Sequence, residues 1–328
     1  MDNFKFTIFA IFAMVFFIPQ QIQAGSEKCI DFGSTVFFLK KTNSNETIIQ
    51  CAENASKQSL SKIFSETTGN NVPMNAVVAG VDSKVLSRIL GFIPEEVLAE
   101  TIKHRNSEDF SIVHLAVKSP NAAPLIFELH NWNVNFNVLK GMKESKFFGI
   151  SKGEIFGNGD KGISALHMAV EQHATLDAVQ ALIANGVDPS IKRHDGNTAL
   201  HLEVRKNSSR YDVLQLLLRN TDEIQINDKG FNPLHLAASH MSDADNFRML
   251  FDRTNSDYHD DKDKAEATVL HYVAQYTTKP KILAIVMDYS QKFLCSIDAR
   301  GAKAIDYARK NKHLFGTEEF LILLNSCN

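Results

Sequence analysis

The chain has 328 residues, 44% of them hydrophobic and 22% charged, and a formal net charge of −3 at pH 7. That composition is globular, and the length fits about two ordinary domains or one extended architecture. The near-neutral balance argues against a nucleic-acid partner.

The first element in chain order is an export signal: Lys5, the apolar run from Phe6 to Ile18, then a polar stretch closing on Ala24. Such a run is too short to span a bilayer of about 30 Å, and a small residue at its end suits signal-peptidase cleavage. Residues 1–24 are therefore expected to leave. The mature protein, 25–328, is then secreted or periplasmic and carries no stable membrane span; an uncleaved anchor helix is the alternative reading. Four cysteines in an exported chain permit disulfides, Cys29 with Cys51 and Cys295 with Cys327, although the spacing demands neither. No C-x-x-C pair supports a zinc or thioredoxin-type site.

Residues 25–110 hold two faint helical pairs. "TIIQCAE" from Thr47 is followed by Leu60, Ile63 and Phe64, and "MNAVVAG" from Met74 by Ile89, Phe92 and Ile93. From residue 111 the pattern sharpens. "SIVHLAV" from Ser111 is followed by Ile126 and Leu129 at helical spacing, with His130 breaking the third slot. An insertion at about 136–158 then interrupts, and its "KFFGISKGEIFG" alternates as a small hairpin would. It runs into "GNGDKGISALHMAV", whose Gly157, Gly159 and Gly162 spell G-x-G-x-x-G, the outline of a dinucleotide-binding turn.

The next segments decide what that outline is. "SALHMAV" from Ser164, "TALHLEV" from Thr198, "NPLHLAA" from Asn232 and "TVLHYVA" from Thr268 recur at spacings of 34, 34 and 36 residues, and "KAIDYAR" from Lys303 extends the series. A period of that size marks one supersecondary unit used repeatedly. Ser, Thr or Asn at the first position supplies an N-cap, and Pro233 stands at the favoured first helical position. A second helix follows each first one. Val179, Leu182 and Ile183; Val213, Leu216 and Leu217; Phe247, Leu250 and Phe251; and Leu283, Val286 and Met287 each form an i, i+3, i+4 face. Gly162, Gly196 and Gly230 precede their caps by two residues, where a hairpin needs a positive φ. A cofactor site would need another parallel strand after the first helix. A second helix stands there instead, so Gly162 is read as a hairpin glycine and no cofactor is expected.

These residues resemble the ankyrin repeat, with its T-P-L-H-x-A signature and period near 33. The resemblance implies a mainly α solenoid of helix-turn-helix units joined by β-hairpin-like turns, about eight in all, with 111–328 as the repeat domain. It also implies that His114, His167, His201, His235 and His271 are structural, a metal ladder being the alternative. Glu203 departs from the pattern by standing in an alanine slot, where it is expected to reach solvent or pair with a nearby lysine or arginine. The acidic run "DYHDDKD" reads as a solvated loop because EF-hand ligand spacing is absent. Sequons at Asn45, Asn54 and Asn207 are acceptors only in a eukaryotic secretory setting.

No hydrolase elbow, zincin or P-loop motif occurs. The reading is a non-enzymatic binding protein with no metal or cofactor, holding another protein on its concave face; a pathogen or symbiont effector is one setting. The hairpin tips expected to touch that partner are Lys192, Arg193, His194 and Asp195; Asp228 and Lys229; Tyr258 and His259; and Asp298 and Arg300. The alternative is an enzyme whose active site lies in the N-terminal region or the insertion.

Overall fold

A computed structural model describes residues 68–141, 146–147, 150–151, 162–206, 210–255, 258–289 and 293–327. The copy at Thr47, Cys29, Cys51, Gly157, Gly159 and all three sequons lie outside them.

Two rows of helices run side by side. The first row is α1 (Val72–Ala79), α4 (Ile112–Lys118), α6 (Ala165–Glu171), α8 (Ala199–Arg205), α10 (Pro233–His240), α12 (Val269–Tyr276) and α14 (Ala304–Ala308). The second is α2 (Ser83–Gly91), α5 (Ala122–Asn131), α7 (Leu176–Ala184), α9 (Tyr211–Arg219), α11 (Ala244–Arg253), α13 (Pro280–Tyr289) and α15 (Glu318–Ser326). Each helix packs on the next member of its own row. The extra helix α3 (Glu95–Lys103) sits between α2 and α4 in the chain.

The core is continuous through the stack because every unit offers apolar faces to both neighbours. Val179, Leu182, Val213, Leu217, Phe247, Leu250, Phe251, Leu283, Val286 and Met287 are all buried. Phe247 and Phe251 are fully so, each removal from water favouring the fold by about 1.5–3 kcal/mol.

The faint copy at Met74 is offset. Its cap is Asn71, whose side chain accepts from the Met74 amide, so Met74 occupies the histidine slot and Ala76 the alanine slot. The second-helix face becomes Leu86, Ile89 and Leu90, all buried, in place of Ile89, Phe92 and Ile93. One helical turn separates the two registers, and apolar periodicity alone does not distinguish them.

The hairpins form a second periodic system. In four units the first tip residue receives one or more amides from across its own turn: Asn106, Asn227, Asp263 and Asp298 each accept two backbone N–H groups on Oδ1, at 2.8–3.1 Å. Such acceptance fixes a tight turn. Successive tips then bond to each other, Asp228 N to Asp195 O, Lys264 N to Lys229 O and Ala299 N to Ala265 O.

The insertion grows out of one of these tips. Lys140 N donates to Ile163 O and Gly162 N to Lys140 O, both at 2.8 Å, as Asn227 N donates to Phe231 O and Gly230 N to Asn227 O elsewhere. Lys140 therefore holds the first tip position and Gly162 the glycine position, with the extra residues between them. Within that stretch Lys146–Phe147 (β1) pairs antiparallel with Ile150–Ser151 (β2), in line with the alternation of the sequence.

Candidate partner-binding face

The five histidines explain how one unit grips the next. At His114, His167, His201 and His271 the ring Nδ1 accepts the N–H of its own cap residue, Ser111, Ser164, Thr198 or Thr268, at 3.1–3.3 Å, whereas His235 Nδ1 lies 2.7 Å from the amide oxygen Oδ1 of its cap Asn232. That leaves Nε2–H of those four to donate to the following hairpin, at Ile163, Asn197, Phe231 and Ala302 respectively, at 2.9–3.2 Å, and His235 Nε2 lies 3.3 Å from Ala267 O in the same position. Burial holds His114, His167 and His201 neutral, with pKa values lowered to about 4, and pushes His235 and His271 down as well. Their ring nitrogens are spent on staples between repeats. Among the described residues no cluster of histidine, cysteine or carboxylate could hold a metal ion.

Glu203 neither rotates to solvent nor loses its charge partner. It is 2% exposed and stands 3.9 Å from Arg210 Nη1. Arg210 Nη2 donates to Ala174 O, and Lys206 Nζ donates to Val170 O and Glu171 O. Two cations of one unit thus cover the C-terminal end of α6 in the unit before, where the carbonyls lack helical partners.

The predicted tip residues divide. Lys192, His194, Asp228, Lys229 and Arg300 are exposed. Arg193 is committed inward: its guanidinium clamps Asp195 through Nε (2.8 Å) and Nη2 (2.6 Å) and reaches Glu171 through Nη1 (2.6 Å). Burial pushes the Asp195 carboxyl up, but bonds from Arg193 and Asn197 outweigh it and hold the group well below the usual carboxylate range. Tyr258 is half-buried, and its carbonyl accepts from Asn232 Nδ2 at 2.9 Å. His259 is 4% exposed; its Nε2 contacts Phe251 O and Thr254 O at 3.1 Å, with its ring against Phe251 and Tyr289. Asp298 is 7% exposed and carries its tip turn. His259 and Asp298 therefore have little surface to give a partner. In "DYHDDKD", Asp263 plays the same turn-fixing part as Asp298.

One feature escaped the sequence reading. Four residues past the cap, the first helices carry Leu115, Met168, Leu202 and Leu236, all buried, and then Tyr272 and Tyr307. The change of residue type at a fixed slot was the signal for it. With Tyr276, 50% exposed, these rings wall a cleft of about 200 Å³.

A stack of paired helices whose first row and tips are joined by staples defines a helical repeat scaffold. Residues 166–262 match the family model "Ankyrin repeats (3 copies)". The fold is the ankyrin-repeat fold. It is similar to the ankyrin repeat domain of human ASB11 (TM-score 0.54, 16% identity, 78% of this chain and 97% of that one) and to that of Bcl-3, described as a member of the IkappaB protein family (TM-score 0.58, 18% identity, 78% and 99%). In sequence it is 27% identical to the chicken (Gallus gallus) nuclear factor NF-kappa-B p105 subunit over 198 residues, 53% of this chain and 19% of that protein. It is 37% identical to the vaccinia virus (strain Western Reserve) inhibitor of apoptosis OPG037 over 70 residues, 21% and 15%. The chain spans under a fifth of the length of these curated relatives.

Proposed function

We propose that the chain is an exported, non-enzymatic scaffold that holds a partner protein on its concave face, outside the cytoplasm or as an effector delivered to a host cell. The observation that carries the reading is the row of exposed side chains, Lys192, His194, Asp228, Lys229 and Arg300, on tips whose backbones are bonded to one another. A surface ordered before binding loses little entropy when it binds. Export is supported by the apolar run of residues 6–18. It is supported also by the Cys295–Cys327 disulfide, whose Cα atoms are 5.3 Å apart, since such bonds persist in oxidising compartments. Among the described residues no helix is long and apolar enough to cross a membrane.

The test is affinity capture with residues 25–328, from cell lysate and from extracellular fluid separately. A specific protein recovered from one pool, and lost when Lys192, Asp228, Lys229 and Arg300 are all reversed in charge, is the expected result. Capture that withstands the reversal removes the tips from the interface. Arg193 is left intact because its clamp belongs to the fold.

A further inference from the structure

The tyrosine cleft differs in construction from the rest of the concave side. The two earlier tips carry His194 with Asp195 and Asp228 with Lys229, whereas each of the two tips here sets an alanine beside a single basic residue, Ala265 after Lys264 and Ala299 before Arg300. Those two small residues open the floor, and Tyr272, Gln275, Tyr276 and Tyr307 form the walls.

The walls are held in place. Tyr272 donates its hydroxyl to Asp263 Oδ2 at 2.6 Å and Tyr307 donates to Asp298 Oδ2 at 2.5 Å. The other oxygen of each carboxylate is consumed by two tip amides. Asp263 and Asp298 thus spend their acceptor capacity on the fold, and Tyr276 lies parallel to Tyr272 at 6.3 Å. Rigid tyrosines offer large contact area at low entropic cost and are enriched where binding energy concentrates.

The rim has a sign. Of the exposed charges on these units, Lys262 is paired with Glu266 at 3.1 Å and Arg309 with Asp306 at 3.2 Å. Lys264 beside Ala265, Arg300 on the cleft wall, and Lys310, in the slot that Gln275 holds one unit earlier, add positive charge that no ion pair among the described residues offsets.

We propose that this cleft docks an acidic segment of the partner protein, which inserts one large apolar side chain among the tyrosines while its carboxylates meet Lys264, Arg300 and Lys310. The inference rests on the scaffold reading above and narrows it to one place and one chemistry.

The probe is a synthetic decapeptide of glutamates around a central phenylalanine, titrated calorimetrically into the full chain, with a lysine-for-glutamate version beside it. Saturable binding of the acidic peptide alone is expected, weakening as salt rises because exposed charges are screened. Tyr276→Ala and, separately, Arg300→Glu should each weaken it about tenfold, and both variants should melt with the parent because these side chains are exposed. Equal or tighter binding of the lysine peptide overturns the proposal, and so does unchanged binding by Tyr276→Ala. The same variants in the capture experiment separate the two readings. A variant that loses the peptide but keeps the partner overturns the cleft and leaves the scaffold. A parent chain that binds the peptide but captures no protein overturns the scaffold.

Discussion

The interior units and the end units solve the same problem with different chemistry. Between Ser111 and Ala302 each unit offers a buried histidine to the hairpin that follows. In the first described unit the slot is Met74, and the nearest substitutes are Asn71 Nδ2, donating to Thr101 O at 2.7 Å, and His104 Nε2, 2.7 Å from Gly69 O. In the last unit the slot is Asp306, which accepts its own cap amide from Lys303. Past that unit the described chain has no further hairpin to staple, and the final helix α15 is tied instead by Cys295–Cys327 and by Lys303 Nζ donating to Cys327 O at 2.9 Å. Past Lys303, where no described hairpin follows, a covalent tie stands where the histidine bond would be; in the Met74 unit, which the Asn106 hairpin does follow, bonds from Asn71 and His104 stand in its place.

Acid should separate the two regions most strongly. Histidines held neutral by burial stabilise the fold fully above their unfolded value near 6.5, and that stability is lost as pH falls towards about 4. Each such group is worth up to about 3 kcal/mol, against a total stability of about 5–15 kcal/mol for a typical protein. The chain should therefore unfold before pH 4, followed by circular dichroism and urea titration, with amides of α4, α6 and α8 losing protection together. Flat stability from pH 7 to 4.5 would show that the staples do not dominate.

Removing a tip contact inside the stack comes next. Gly196 has φ 75°, and a Cβ there would lie 2.5 Å from Asp228 N, the amide that joins its tip to the next. Gly196→Ala should cost about 3 kcal/mol or more in urea unfolding. Gly301, with the same φ and nothing within 4 Å of its would-be Cβ, should lose only the conformational part, about 1–2 kcal/mol.

The terminal tie should follow. Replacing Cys295 and Cys327 with serine, or reducing the parent, should cost about 2–4 kcal/mol and raise hydrogen exchange first in α15. Equal protection of α15 with and without the bond would place the C-terminal stability in packing alone. The smallest effect has the opposite sign. Glu266, at φ 57°, occupies the glycine slot of its tip, so Glu266→Gly should stabilise by about 1 kcal/mol, read as a higher melting temperature.

The interior was the legible part of the sequence. Caps, leucines, histidines and second-helix faces stand at fixed offsets because each answers to neighbours on both sides, and the histidines the resemblance implies to be structural are bonded from one unit to the next. The first described unit was less legible. Without a histidine at position 74, nothing distinguished a helix capped by Asn71 from one a turn later. The tips were legible in part: Asp298 reads as a hairpin-tip charge turned to a partner, yet its Oδ1 serves two backbone amides, and a sequence does not reveal which carboxylates fold back on their own turn. His259 reads as part of an acidic loop, while the pocket formed by Phe251 and Tyr289 draws its ring inside.

The bridge between Lys140 and Ile163 has a further consequence for how such a chain can change. Residues added inside a helix would throw every later side chain out of phase, whereas residues added beyond Lys140 leave α4 packed on α6 and His114 bonded to Ile163 O. The stack keeps count in units rather than in residues. A tip is where a chain of this design can lengthen, acquire a new finger and leave the remaining units undisturbed.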